Sequence, residues 1–231
     1  VWSEAGRAVA NGRIAERYTL AVRSGAQALR REEYTLRLDW PGGRLQVDLG
    51  AFRVHADDGL FVVTHAEFPG RFFRQDFDPP LRSGVLGERL PPLILPSLTL
   101  AEWSDAGEPG SSPEFSVWLR SAVWTSARVD PRAAVPVYEL EGTCEAGRMS
   151  ATVDAATGRL RRLVFPVRIS GPAEVLTLDF TVTALEVPVG HGPMVSIPDL
   201  SGRDLVWSLP ELVTPRGVGG NGGSGLRQPS E

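Results

Sequence analysis

From Tyr34 to Phe77, apolar side chains recur at alternate positions in runs separated by short turn sequences. Tyr34, Leu36, Leu38 and Trp40 share one parity, while Thr35, Arg37 and Asp39 share the other. Past Pro41-Gly42-Gly43 the apolar parity resumes at Leu45, Val47 and Leu49. A period of two places successive side chains on opposite faces of a strand, so the pattern predicts a meandering antiparallel sheet with one oily face. A two-residue primed turn at Asp58-Gly59 sets Phe52, Val54, Ala56, Phe61, Val63 and His65 on one face. It sets Arg53, His55, Asp57, Leu60, Val62 and Thr64 on the other. The first set is the more apolar, which favours this register over a three-residue Asp57-Asp58-Gly59 loop. That longer loop would bring His55 and His65 onto one face.

The flanking segments complete a mainly β (α+β) pattern. Residues Ser3 to Arg17 read as a short helix with Ser3 as N-cap and Gly12 weakening its interior. Tyr18, Leu20 and Val22 then alternate as a strand, and Ser24-Gly25 turns the chain. Residues 79–110 mix apolar side chains with prolines that central strands exclude. They read as an irregular, Pro-rich lid with a helical turn or two over Leu98 to Ala106. Strands resume at Phe115 to Trp124, Val135 to Glu141, Arg148 to Asp154, Leu160 to Ile169 and Val175 to Leu185. A turn at Asp154 to Gly158 joins two of them. Two short apolar runs lie between Met194 and Val213. From Pro215 the Gly-rich composition is that of a flexible tail or linker, giving one domain over 1–214 and a tail over 215–231.

Composition narrows the chemistry. The chain has 231 residues, a formal charge of -4 and 24 basic residues, all of them arginine. An acidic balance with arginine spread along the chain argues against a nucleic-acid binder. The absence of lysine reads as codon usage. The longest apolar run, Leu90 to Leu100, is short and broken by prolines, so no membrane-spanning segment is expected. Cys144 is the single cysteine, placed where a strand enters a turn, and an internal disulfide is impossible. A start at Val1 suggests a processed chain.

Candidate chemistry is sparse. A zinc site needs three or four converging ligands, and His55, His65 and His191 do not converge in the favoured register. Glu32-Glu33 and Asp57-Asp58 are adjacent pairs, which point to opposite faces of a strand or serve a turn, unlike facing glycosidase carboxylates. No nucleophile elbow, phosphate loop or dinucleotide fingerprint occurs. The expectation is therefore no catalytic residue, no metal and no cofactor. The aromatic meander is ordinary core unless the sheet curves and leaves its concave face partly filled, when it would line a cleft for an apolar ligand. The candidate ligand-binding residues are Tyr34, Leu36, Leu38, Trp40, Leu45, Val47, Phe52, Val54, Phe61 and Val63.

In order along the chain, several motifs resemble the lipoprotein-carrier superfamily of LolA- and LolB-like periplasmic proteins. They are Tyr18-Leu20-Val22, Leu38-Asp39-Trp40-Pro41-Gly42-Gly43-Arg44, Asp58-Gly59-Leu60-Phe61-Val62-Val63 and the segment ending Leu93-Ile94-Leu95-Pro96. Asp154 to Leu160 and Phe180 through Val187-Pro188-Val189-Gly190 resemble the family's closing strands. Arg44 stands one glycine further along than the arginine that follows Trp-Pro-Gly in the family. The resemblance implies a strongly curved antiparallel sheet, an incomplete β-barrel with helices packed into its open side. It further implies a periplasmic or extracellular protein that binds lipid or lipoprotein acyl chains without catalysis. The alternative is an accessory subunit of an envelope assembly, meeting partners through sheet edges and the C-terminal tail.

Overall fold

The computed structural model describes residues 1–57, 59–79, 81, 95–106, 122–130, 135–168, 175–185 and 195–215. Helix α1 (Trp2–Ala10) precedes strands β1 (Arg13–Ser24), β2 (Gln27–Asp39), β3 (Arg44–Leu49), β4 (Phe52–Asp57), β5 (Leu60–His65) and β6 (Arg71–Asp76). Helix α2 (Pro96–Ala106) follows. Then come β7 (Val123–Asp130), β8 (Val137–Cys144), β9 (Gly147–Asp154), β10 (Leu160–Arg168) and β11 (Val175–Ala184). A short β12 (Asp204–Val206) and helix α3 (Leu209–Val213) complete the order.

The twelve strands among the described residues belong to one sheet in the order β12-β6-β5-β4-β3-β2-β1-β11-β10-β9-β8-β7. The long β1 joins the two meanders, pairing with β2 on one side and β11 on the other. Among the described residues every pairing is antiparallel except that of β12 with β6, which is parallel. Among the described residues the end strands β12 and β7 do not pair, and the sheet is not closed into a barrel.

The expected register holds. Asp57 pairs with Leu60 and Phe52 with His65, leaving a two-residue connection between β4 and β5. Gly59 adopts φ +78°, and a Cβ there would stand 3.0 Å from the Phe77 carbonyl oxygen. Glycine is therefore required by both conformation and space. His55 sits opposite Val62 and so faces away from His65. Cys144 ends β8 immediately before a turn and is a free thiol.

Two expectations at the N-terminus are corrected. Helix α1 ends at Ala10, and residues from Arg13 onward are strand, not helix. The alternation of Ile14, Glu16 and Tyr18 explains this: these side chains share the inner face of β1, and pairing with β2 and β11 fixes them there. Ser3 lies within the helix. The N-cap is Val1, with no capping side-chain bond. In the second meander β7 begins at Val123, and its earlier expected part, 115–121, lies outside the described residues. Pro166 is accommodated because β10 has by then passed the end of its pairing with β9 at Val164 and Ser150.

One buried cluster draws on both meanders. It runs from Ala5 and Val9 of α1 through Leu36, Leu45, Val54 and Phe61 to Met149, Leu163, Phe180 and Leu212. A single cluster touching strands so far apart in the sheet requires that the sheet curve around it. From the lid region, Leu81, Leu95, Leu98, Leu100 and Ala101 are buried in the same cluster. α1 packs against α2, and buried residues of both helices belong to the cluster around which the sheet curves.

Candidate functional site

The concave face is built from cross-strand rows. One runs from Tyr18 through Tyr34, Leu49 and Phe52 to His65. Another runs from Leu38 through Leu45 and Ala56 to Phe61. Between them, Leu36, Val47, Val54, Val63 and Phe73 form an apolar row whose first member, on β1, is Glu16. Directly opposed side chains on one face are the unit of sheet stabilisation, and here they make a continuous oily floor.

The ten candidate ligand residues therefore do share this floor or its rim. Tyr34, Leu36, Leu38, Leu45, Val47, Val54, Phe61 and Val63 are buried in the cluster, whereas Trp40 and Phe52 are partly buried against it. Leu98, Leu100 and Ala101 at the front of α2 belong to the same buried cluster, and every residue from Leu95 to Ala101 is buried. A segment enclosed on all sides must satisfy its polar groups internally. Thr99 does so by donating to the Leu95 carbonyl at 3.3 Å.

Ser97 does so through the feature that sequence reasoning missed. The Tyr18 hydroxyl, the Ser97 Oγ and Glu16 Oε2 lie at three mutual distances of 2.6 Å. Glu16 is only 1% exposed and Ser97 1%. Burial raises the Glu16 carboxyl above its ordinary value, against the pull of hydrogen bonds from Ser97 and Tyr18 and the charge of Arg159. The same burial, with Glu16 close by, pushes the Tyr18 hydroxyl well above its ordinary range. The available signal was Glu16 standing on the apolar parity of Ile14, Tyr18 and Leu20. Assigning Ser3 to Arg17 to a helix concealed it.

The convex face is polar and paired. Asp48 accepts from Arg37 at 3.1 Å, from Thr35 at 3.1 Å, from Gln46 and from Arg53. Arg162 makes a two-pronged contact with Asp179, at 3.0 and 2.7 Å. His55, 4% exposed, is buried on this face, and neither ring nitrogen has a hydrogen bond of ordinary geometry among the described residues. Burial and the neighbouring Arg53 hold its pKa down at about 4, against Asp48 and the Ser196 backbone. An open cleft of about 540 Å³ lies at the β4–β5 turn, lined by Asp57, Leu60, Arg74, Asp76, Phe77 and Ile197.

Among the described residues, no three His, Cys, Asp or Glu side chains gather as metal ligands. His191 lies outside the described residues. No helix among the described residues is long and apolar enough to cross a membrane.

The fold defines a class: a single open β-sheet curved around an apolar core and roofed by helices. No protein-family model matches the chain, and no curated protein matches it. Among solved structures it is similar to a LolA superfamily protein from Nitrosomonas europaea, at 10% identity and a TM-score of 0.30. That match covers 81% of this chain and 93% of the other. It is also similar to MucB, solved in complex with MucA(peri), at 12% identity and a TM-score of 0.36, over 86% of this chain and 61% of MucB. A third similarity, to PNGF-II, has 3% identity and a TM-score of 0.31, and covers 87% of this chain and 32% of that one.

Proposed function

We propose that the chain is a non-enzymatic binding or carrier module for an apolar ligand, a lipid or lipoprotein acyl chain, in the cell envelope. The supporting observation is the apolar floor beneath α2. Its covering residues, Leu95, Leu98, Leu100 and Ala101, are small or aliphatic side chains of the kind an acyl chain could replace. Displacing the helices that share this cluster would uncover a floor made of Tyr34, Leu36, Leu38, Leu45, Val47, Val54, Phe61 and Val63, with Trp40 and Phe52 at the rim. Burying an acyl chain there would return about 25 cal/mol per Å² of apolar surface, offset by the ordering of the ligand.

Titration with a fluorescent fatty acid tests the reading. Saturable binding by the folded protein, weakened by Trp40→Asp, is expected. Absence of saturable binding by a folded wild type would overturn it.

A second reading, an accessory subunit of an envelope assembly, is favoured by the sheet edges. Trp207, just past β12, is 83% exposed and Leu205 42%, and Val123 on β7 is also exposed. Exposed apolar groups beside strand edges that are unpaired among the described residues favour association. Sedimentation at several concentrations separates the readings, because a monodisperse monomer disfavours self-assembly. The proposed tail contact involves residues 216–231, which lie outside the described residues.

A further inference from the structure

The triangle of Glu16, Tyr18 and Ser97 has three oxygen–oxygen edges of 2.6 Å. Each edge is of hydrogen-bond length and needs one proton. The two hydroxyls supply one each. An ionised Glu16 supplies none, which would press two oxygens together without a proton between them in a site closed to water. A neutral carboxyl supplies the third proton and allows a closed ring. In that ring Tyr18 donates to Ser97, Ser97 donates to Glu16, and Glu16 donates to Tyr18.

We propose that Glu16 is held as a neutral carboxylic acid that completes this ring, so that loss of its proton releases α2 from the sheet. Ser97 is the arm on α2. Glu16 and Tyr18 are the arm on β1, and Tyr18 is itself fixed by stacking on Tyr34.

The surroundings favour the neutral form. On β11 the residue opposite Glu16 is Ala184, and on β2 it is Leu36. Tyr34, stacked on Tyr18, is an uncharged neighbour, and Glu4 and Arg7 of α1 are exposed. Arg159, in the turn before β10, is the described cation that acts on Glu16, and it favours ionisation. Arg159 thus provides charge compensation once the ring opens. As a control on ligand entry, the ring rests on the proposed binding function. As a proton-holding latch it does not.

The sign of the pH effect follows from linkage. The closed form binds the proton more tightly than the open form, whose carboxyl has its ordinary value of 4.5. The latch is therefore fully effective below that value. Above it the opening constant rises by about tenfold per pH unit until the closed-state carboxyl also titrates.

The test uses the full chain without ligand. Infrared difference spectra across pH should show the carbonyl stretch of a protonated carboxylic acid, lost in Glu16→Gln and shifted in Ser97→Ala. Hydrogen exchange of α2 amides, corrected for intrinsic rates, should accelerate with pH in the wild type and be flat in Glu16→Gln. No acid band in the wild type, or the same pH slope in both proteins, overturns the latch. If Glu16→Gln does not fold, the Ser97→Ala band decides, and an unshifted band overturns the proposal. Fatty-acid uptake then tests the coupling. If the latch signals hold and no uptake occurs at any pH, only the binding reading fails.

Discussion

Tyr18 and Tyr34 face each other across β1 and β2 with their rings stacked, centroids 4.9 Å apart and planes within 6°. The pair links the floor of the sheet to the polar ring under α2, since Tyr18 also contacts Ser97. The two members contribute differently. Tyr18→Phe keeps the stack and removes the hydroxyl, at a cost of about 1–2 kcal/mol. Tyr34→Ala removes a buried ring and leaves a cavity, at a cost of about 3–5 kcal/mol. Urea unfolding of both variants checks the order. A Tyr18→Phe loss as large as that of Tyr34→Ala would contradict it.

His55 makes stability sensitive to mild acid. Its imidazole is buried without ordinary hydrogen bonds, and its folded-state pKa is about 4 against an ordinary 6.5. The unfolded chain takes up the proton first, so stability is full above 6.5 and falls as pH drops from there toward about 4. The size of the effect is on the order of 3 kcal/mol. His55→Leu should remove this slope and leave stability at neutral pH equal or greater, because a buried polar ring without a hydrogen bond of ordinary geometry is replaced by an apolar group. The check is the difference between the two proteins across that pH window. A constant difference would refute the assignment.

The sheet was legible in the sequence where alternation was strict and turns were marked by glycine. The Tyr34 to Phe77 meander and the β4–β5 register are such places. Legibility failed where one residue carried two signals. Alanine and arginine between Ser3 and Arg17 suit a helix, yet the parity of Ile14, Glu16 and Tyr18 suits a strand. Pairing on both sides of β1 decided the matter. That the candidate residues share one buried face was legible because burial follows parity. The polar ring was not, because it depends on Ser97, 79 residues from Tyr18, and no local pattern encodes that contact. The parallel addition of β12 was hidden for the same reason.

Gly142 is a close-approach position on β8. A Cβ there would lie 2.9 Å from the Val123 carbonyl oxygen and 3.0 Å from the Trp124 ring. The obstruction is partly backbone, which cannot swing aside. Gly142→Ala should therefore push β7 away from β8 and disturb the contact of Trp124 with Trp2, whose centroids lie 4.9 Å apart. We expect a loss of about 1–3 kcal/mol. Tryptophan fluorescence should change before global unfolding. An unchanged emission spectrum with unchanged stability would show that β7 is not held as described.

Asp154 organises the turn between β9 and β10. Its Oδ1 accepts from the backbone N–H groups of Ala156 at 3.0 Å and Thr157 at 2.8 Å, and its Oδ2 accepts from Arg161 at 2.6 Å. Burial alone would raise its pKa, but the Arg161 guanidinium and those N–H groups outweigh it and hold the carboxyl at about 2. Asp154→Asn retains an acceptor for the turn and loses the charge pair, so it should cost about 1–2 kcal/mol. Asp154→Ala also strips the backbone donors of their partner and should cost about 1 kcal/mol more. A carboxylate lowered from 3.8 stabilises the fold above that pH and loses its contribution as pH falls through about 2. The gap between wild type and Asp154→Asn should therefore be constant at neutral pH and shrink below 3.8. Urea midpoints measured from pH 7 to pH 2 read the gap directly. A gap that widens on acidification would mean that Asp154 is not the group holding this turn.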